Sequence, residues 1–217
     1  MVGAKGIKGS RRRDWSKVTL ALLACCFIVP LILITIGFLG IRIPSGSSGQ
    51  PLELPKLTSG QADLKSLIVK TVDGEDLALG NTSGKPRVIV AVATWCPTCA
   101  LALMNVKKAV EQFNDEVSVV VVGVWSEGLV SKLSKAYTSL PAPDTPESLK
   151  RFVERFGDPR WKIVMDSDTR VLNALKLKYV DAIVVLDRNG VEVYRVEPGG
   201  YVDPKEIAKI VENVLRQ

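Results

Sequence analysis

Two cysteines, Cys96 and Cys99, stand three residues apart in the run Thr94-Trp95-Cys96-Pro97-Thr98-Cys99. A pair at this spacing can close a disulfide, exchange it with a partner, or supply half of a metal site. The chain contains no histidine, which removes His-based triads, His acid–base chemistry and His-containing zinc sites. The other two cysteines, Cys25 and Cys26, lie far off in an apolar stretch, so a zinc site at Cys96 and Cys99 would need carboxylates as its remaining ligands. An inert structural disulfide is the plainer alternative. Thiol–disulfide exchange needs one sulfur held as a thiolate and a second sulfur in reach of it. A helix starting at Pro97 would provide both. The unpaired N–H groups of a first helical turn stabilise a thiolate at Cys96, solvent-accessible and with a lowered pKa. Pro97 suits the first helical position. Cys99, one turn on, can then resolve a mixed disulfide formed at Cys96. Trp95 offers a flat contact to a partner.

The elements that must position this pair follow from the hydrophobic pattern. Residues 87–93, RVIVAVA, form an apolar run too continuous for an exposed edge and read as a buried strand ending at the cysteines. A helix follows over about 97–113, with Leu101, Met104, Val106 and Val110 available for its buried side. Residues 117–124, VSVVVVGV, read as a second buried strand. Helices are expected over 127–137 and 147–156, separated by the proline-rich loop LPAPDTP at 140–146 and closed by Gly157. A strand over 161–165 and a short helix over 168–176 come next, with Asp166 at the strand exit and Asp168 as helix cap. Residues 182–186, AIVVL, read as a strand joined through Asp187-Arg188-Asn189-Gly190 to an edge strand at 191–196. Asp203 and Pro204 open a last helix with an apolar stripe at Ile207, Ile210, Val211, Val214 and Leu215. A small hairpin around Asp73-Gly74 precedes them all. The fold class is therefore α/β, a central mixed sheet flanked by helices. Trp125 and Trp161 read as core residues, Trp125 with a possible place near the cysteines.

Together, Gly84-Lys85-Pro86, the strand that follows, and Ala93-Thr94-Trp95-Cys96-Pro97-Thr98-Cys99 resemble the membrane-anchored thioredoxin-like proteins of the TlpA-like branch. The resemblance covers about 61–217. It implies a thioredoxin-like fold, Cys96 as the attacking and Cys99 as the resolving cysteine, and no bound cofactor. It implies protein thiols or disulfides as partners, reduced outside the cytoplasm, with a membrane electron-transfer protein as donor. Relatives place a cis-proline before the strand that ends in an acid and a hairpin. Here Asp181 or Ala182 holds that place, and residues 160–197 contain no proline. Asp181 could present a carboxylate to the cysteines, raising the Cys96 pKa when ionised or passing a proton to Cys99 when protonated; the alternative is a solvated loop residue. Tyr179 is a candidate groove residue. The positions where relatives carry acids near the resolving cysteine hold Val90 and Ala102, and Met104 stands where a proline often follows. These departures leave room for a second reading, a membrane-tethered binding or assembly module whose cysteine pair is structural.

The rest of the chain suggests an anchor. Residues 18–41 are 24 residues without a charge. As a helix they would span ~36 Å, enough to cross ~30 Å of hydrocarbon with some tilt. Lys5, Lys8, Arg11, Arg12, Arg13 and Lys17 precede them and Arg42 alone follows, so the basic tail 1–17 is expected in the cytoplasm and the domain outside it. The run is long for a cleaved signal peptide and continues past Cys25, against a lipoprotein cut there. Residues 42–60 read as a flexible linker rich in Gly, Ser and Pro. Of 29 basic and 23 acidic residues, 8 basic and 2 acidic lie in 1–60, leaving 21 of each in the domain. The net charge of +6 is thus a property of the N-terminus and gives no ground for nucleic-acid binding by the domain.

Overall fold

Strand β3 (Arg87–Val92) is buried at every residue, as a continuous apolar run requires when both faces of a sheet are covered. In this computed structural model, which describes residues 64–217, it is the middle strand of five. On one side it pairs in parallel with β4 (Ser118–Gly123), which pairs in parallel with β5 (Lys162–Met165). On the other it pairs antiparallel with β6 (Ala182–Leu186), and β6 with the edge strand β7 (Glu192–Val196). The order is β5-β4-β3-β6-β7, the expected mixed sheet. A separate two-stranded hairpin, β1 (Ile68–Lys70) and β2 (Asp76–Ala78), attaches to β5 through a bridge from Thr71 to Val164.

Among the described residues five α-helices connect and cover these strands. Helix α1 (Pro97–Val110) leaves the end of β3; α2 (Glu127–Leu133) and α3 (Pro146–Phe156) lie between β4 and β5; α4 (Arg170–Ala174) precedes β6; α5 (Pro204–Leu215) ends the domain. Helix α1 packs against both α3 and α5. Asp203 caps α5 by accepting from the Lys205 N–H; of the expected stripe, Ile207, Val211 and Val214 are buried and Ile210 and Leu215 half-buried. Thr145 and Ser148 close a reciprocal cap on α3. In the β6–β7 turn, Gly190 has φ +77° and lies so close to Gly80 that an added Cβ would sit 2.0 Å from the Gly80 carbonyl oxygen.

Three details differ from the sequence reading. The buried face of α1 is Cys99, Ala102, Leu103, Val106, Ala109 and Val110, whereas Leu101 and Met104 are exposed. Burial of Cys99 sets the helical phase, and the residues three and four positions on follow it inward. Helix α1 also ends at Val110, where the chain tightens into 3₁₀ turns over Glu111–Glu116, broken at Asn114 with φ 45°. Finally, α4 spans only Arg170–Ala174 of the expected 168–176, and Asp166 joins Asp168 at its start: the Asp168 carboxylate accepts from the Arg170 N–H at 3.3 Å, and the Asp166 carboxylate from the Val171 and Leu172 N–H groups. Among the described residues no helix is long and apolar enough to cross a membrane. The tail 1–17, the apolar run 18–41 and the linker 42–60 lie outside the described residues.

The phase of α1 is testable. Leu103→Ala should lower the unfolding free energy by about 2–5 kcal/mol, the cost of a core cavity, and Leu101→Ala by less than about 0.5 kcal/mol, measured by denaturant titration of the full chain.

Candidate active site

The site forms where β3 ends and α1 begins. Cys96 is the N-cap of α1, with extended backbone angles, and its sulfur accepts from the Cys99 N–H at 3.3 Å. Pro97 occupies the first helical position, where no N–H is needed. The Thr98 hydroxyl lies 3.1 Å from the Cys96 sulfur. Cys99 is fully buried; its sulfur accepts from the Ala93 N–H at 3.3 Å and donates to the Val180 carbonyl at 3.6 Å. Both cysteines are free thiols in this structure.

These surroundings divide the pair electrostatically. Hydrogen bonding from Cys99 and Thr98 brings the Cys96 pKa down to about 7, against the opposing effects of burial and of Asp181. Burial, the neighbouring Cys96 and Asp181 all push the Cys99 thiol well up. At neutral pH the structure thus holds one thiolate-forming sulfur at the surface side and one protonated sulfur behind it. The expected solvent access of Cys96 is narrow, since the residue is only 5% exposed.

Asp181 is not a solvated loop residue. It is 2% exposed, and its Oδ2 has no hydrogen-bond partner. Burial raises its pKa, while hydrogen bonds from Thr98 and from the Gly200 backbone oppose the rise. Thr98 therefore stands between the Cys96 sulfur and a buried carboxyl. The loop after β7 completes this wall. Gly199 N–H donates to the Asp181 carbonyl at 2.7 Å, and a Cβ on Gly200 would meet Thr98 at 2.5 Å. Asn105 of α1 holds that loop through the Gly200 and Val202 carbonyls. Among the described residues the cis peptide bond is Glu197–Pro198, at the start of the same loop.

On the opposite side, Trp95 stacks edge-on against buried Trp125 with ring centroids 5.0 Å apart, so Trp125 is both a core residue and a support of the site. Asp144, missed in the sequence, fastens the active-site loop. Its carboxylate accepts from the Thr94 N–H at 3.0 Å and from the Thr94 hydroxyl, and its own N–H donates to the Trp125 carbonyl at 2.7 Å. Trp95, Cys96 and Pro97 line an open groove of about 690 Å³ whose far wall is α3. Thr98, Tyr179 and Asp181 lie outside that groove. Tyr179 is half-buried, with its backbone N–H on the Glu197 carboxylate at 3.2 Å. Val90 and Ala102 are fully buried beneath the pair, so neither place supplies a base. Among the described residues no three Cys, Asp or Glu side chains converge to hold a metal ion.

A family model described as Redoxin matches residues 43–211, well over half of the chain. The chain belongs to the Redoxin family. This Redoxin shares its architecture with solved thioredoxin-like structures. A thioredoxin-like protein from Aeropyrum pernix is 28% identical, with a TM-score of 0.60 over 69% of this chain and 90% of that one. MTB dsbF is 22% identical with a TM-score of 0.54, covering 70% of this chain and 96% of that one. A secreted Mycobacterium tuberculosis disulfide oxidoreductase, homologous to E. coli DsbE, is 16% identical with a TM-score of 0.54, covering 69% and 97%. The comparison with curated proteins found no match. The fold is thus thioredoxin-like, and a Redoxin carrying a closely spaced cysteine pair at a helix start has the parts of a thiol–disulfide oxidoreductase.

The fastening by Asp144 makes a prediction. Asp144→Ala should cost about 1–3 kcal/mol in unfolding free energy, because the Thr94 N–H loses its acceptor. Trp95 should also gain exposure to acrylamide quenching, with Trp15→Phe, Trp125→Phe and Trp161→Phe together as the background that isolates its signal.

Proposed function

We propose that this Redoxin is a membrane-tethered, TlpA-like thiol–disulfide oxidoreductase that reduces protein disulfides outside the cytoplasm. The observation that carries the chemistry is the unequal environment of the two sulfurs, one lowered to about 7 and the other raised. The anchor rests on the uncharged run 18–41 and its basic N-terminal flank.

In the proposed cycle the Cys96 thiolate attacks one sulfur of the substrate disulfide, forming a mixed disulfide and expelling the other substrate sulfur as a thiolate. Cys99 then loses its proton and attacks the Cys96 sulfur. The Cys96–Cys99 disulfide forms and the second substrate thiolate leaves, so two electrons pass from the protein dithiol to the substrate. Thiol groups of a membrane electron-transfer protein would restore the dithiol. Asp181 is the carboxyl beside this second step. In its ionised form it takes up the Cys99 proton, a task its raised pKa suits, and it supplies the acid–base group that Val90 and Ala102 cannot. Trp95 and Pro97 present the flat rim on which substrate rests, and Thr98 steadies the Cys96 thiolate. The competing reading, a binding or assembly module with an inert pair, draws on the near-complete burial of Cys96.

Two experiments separate these readings. Below its pKa Cys96 is protonated and unreactive, so its alkylation by iodoacetamide should rise with pH through a midpoint near about 7, where a free thiol shows about 8.5. Cys99 should stay unmodified over that range. Cys99→Ser should trap mixed disulfides with protein partners and Cys96→Ser should trap none; if neither variant changes partner capture, the module reading replaces this one. A potential of the pair near ~−270 mV agrees with a reductase, and one near ~−120 mV overturns that direction.

Asp181→Asn tests the proton role. Removing the charge should lower the Cys96 alkylation midpoint and lengthen the life of the mixed disulfide about tenfold or more. A purely structural Asp181 would move neither.

A further inference from the structure

The groove beside Cys96 has a composition that the exchange chemistry does not require. Its wall on α3 carries Arg151 and Arg155, four residues apart and so on one face of the helix, with Phe152 and Phe156 beside them. Among the described residues these arginines are the only charged ones lining it, and no carboxylate does. Both arginines are exposed, and among the described residues neither makes an ion pair. The Arg155 guanidinium rests 5.2 Å above the Phe156 ring, which holds it at the rim. Opposite stand Trp95 and Pro97, next to the Cys96 sulfur.

We propose that this groove binds an acidic polypeptide segment next to the substrate disulfide, with carboxylate side chains on Arg151 and Arg155 and an apolar side chain among Trp95, Phe152 and Phe156. The proposal rests on the redox reading and adds the class of substrate. Charge complementarity selects the occupant: among the described residues neither guanidinium is held in an ion pair, Glu147 one turn back acting on Arg151 only through its charge, and two such groups favour an anionic segment and planar, bidentate contacts to carboxylates. The volume of about 690 Å³ is that of a site for several residues, larger than one side chain needs. The N-terminal part of this same chain has the wrong sign, with 8 basic and 2 acidic residues in 1–60.

The test uses the full chain, reduced with dithiothreitol and freed of it, in single-turnover exchange. The substrates are two disulfide-linked peptides, identical except that the residues beside the cysteines are Glu in one and Lys in the other. Oxidised glutathione serves as a small anionic disulfide, and neutral 2-hydroxyethyl disulfide as the reference rate for each protein. The Cys96 thiolate attacks in every case, Cys99 completes the protein disulfide, and two peptide or small-molecule thiols are released. The Glu peptide should react about tenfold faster than the Lys peptide at low salt, and the difference should shrink in 1 M salt. Arg151→Glu with Arg155→Glu should invert the order, and Arg151→Lys with Arg155→Lys should keep it. Equal rates for the two peptides, or an order that survives charge reversal, overturn the proposal. So does oxidised glutathione outpacing the Glu peptide, which assigns the groove to a small anionic disulfide. Absence of exchange even with 2-hydroxyethyl disulfide overturns the redox reading itself and this proposal with it.

Discussion

The register between β3 and β6 decides where both sulfurs lie. Ala91 pairs with Ala182, so the chain just past β3 and the chain just before β6 emerge side by side at one end of the sheet. Ala93 and Val180 are then in place to grip the Cys99 sulfur from two sides, one through an N–H and the other through a carbonyl. Cys99 fixes the rotation of α1, and α1 fixes Cys96 at its cap. A slip of one residue between these strands would turn their side chains to the opposite faces and undo the arrangement. The sheet is thus more than a scaffold, because its central antiparallel pair aligns the reacting atoms.

Around that alignment the protein keeps a buried carboxyl that is only partly satisfied. An unpaired polar oxygen in the interior costs on the order of 1–3 kcal/mol. Asp181 has such an oxygen and sits where its ionised form opposes a charge on either cysteine. Hydrogen bonds to Cys96 outweigh this opposition and none does so at Cys99, so one group restrains both sulfurs while leaving them unequal. The loop carrying Gly199 and Gly200, both buried, packs into that corner, and Gly200 is needed there because a side chain would collide with Thr98.

Much of this was legible in the residues. Apolar runs located β3, β4 and β6, the cysteine spacing with Pro97 located the start of α1, and Asp203-Pro204 located α5. These signals are local, and local chemistry dominates them. The rotation of α1 was not legible: Leu101 and Met104 are as apolar as Leu103, and only burial of Cys99 chooses among them. Asp144 lies 50 residues from Thr94, and nothing in the loop LPAPDTP announces that partner. The arginine pair on α3 was visible at i, i+4 spacing, but its relation to Cys96 depends on how α3 packs against α1. Asp181 was singled out because a proline was missing there; its burial came from the loop after β7, which no spacing connects to it.

The loop between α2 and α3 carries Pro141 and Pro143, and Pro146 opens α3 directly after it. It also supplies the Pro141 carbonyl that accepts from the Trp125 indole at 3.2 Å and the Asp144 that holds Thr94. Prolines narrow the conformations open to this segment before the protein folds, so ordering it sacrifices less chain entropy than a glycine-rich loop of equal length would. The backing of Thr94 and Trp95 on the cysteine side of the groove is therefore set in advance of any encounter. A partner arriving at Cys96 meets a shaped surface and gives up little of its binding energy to make one.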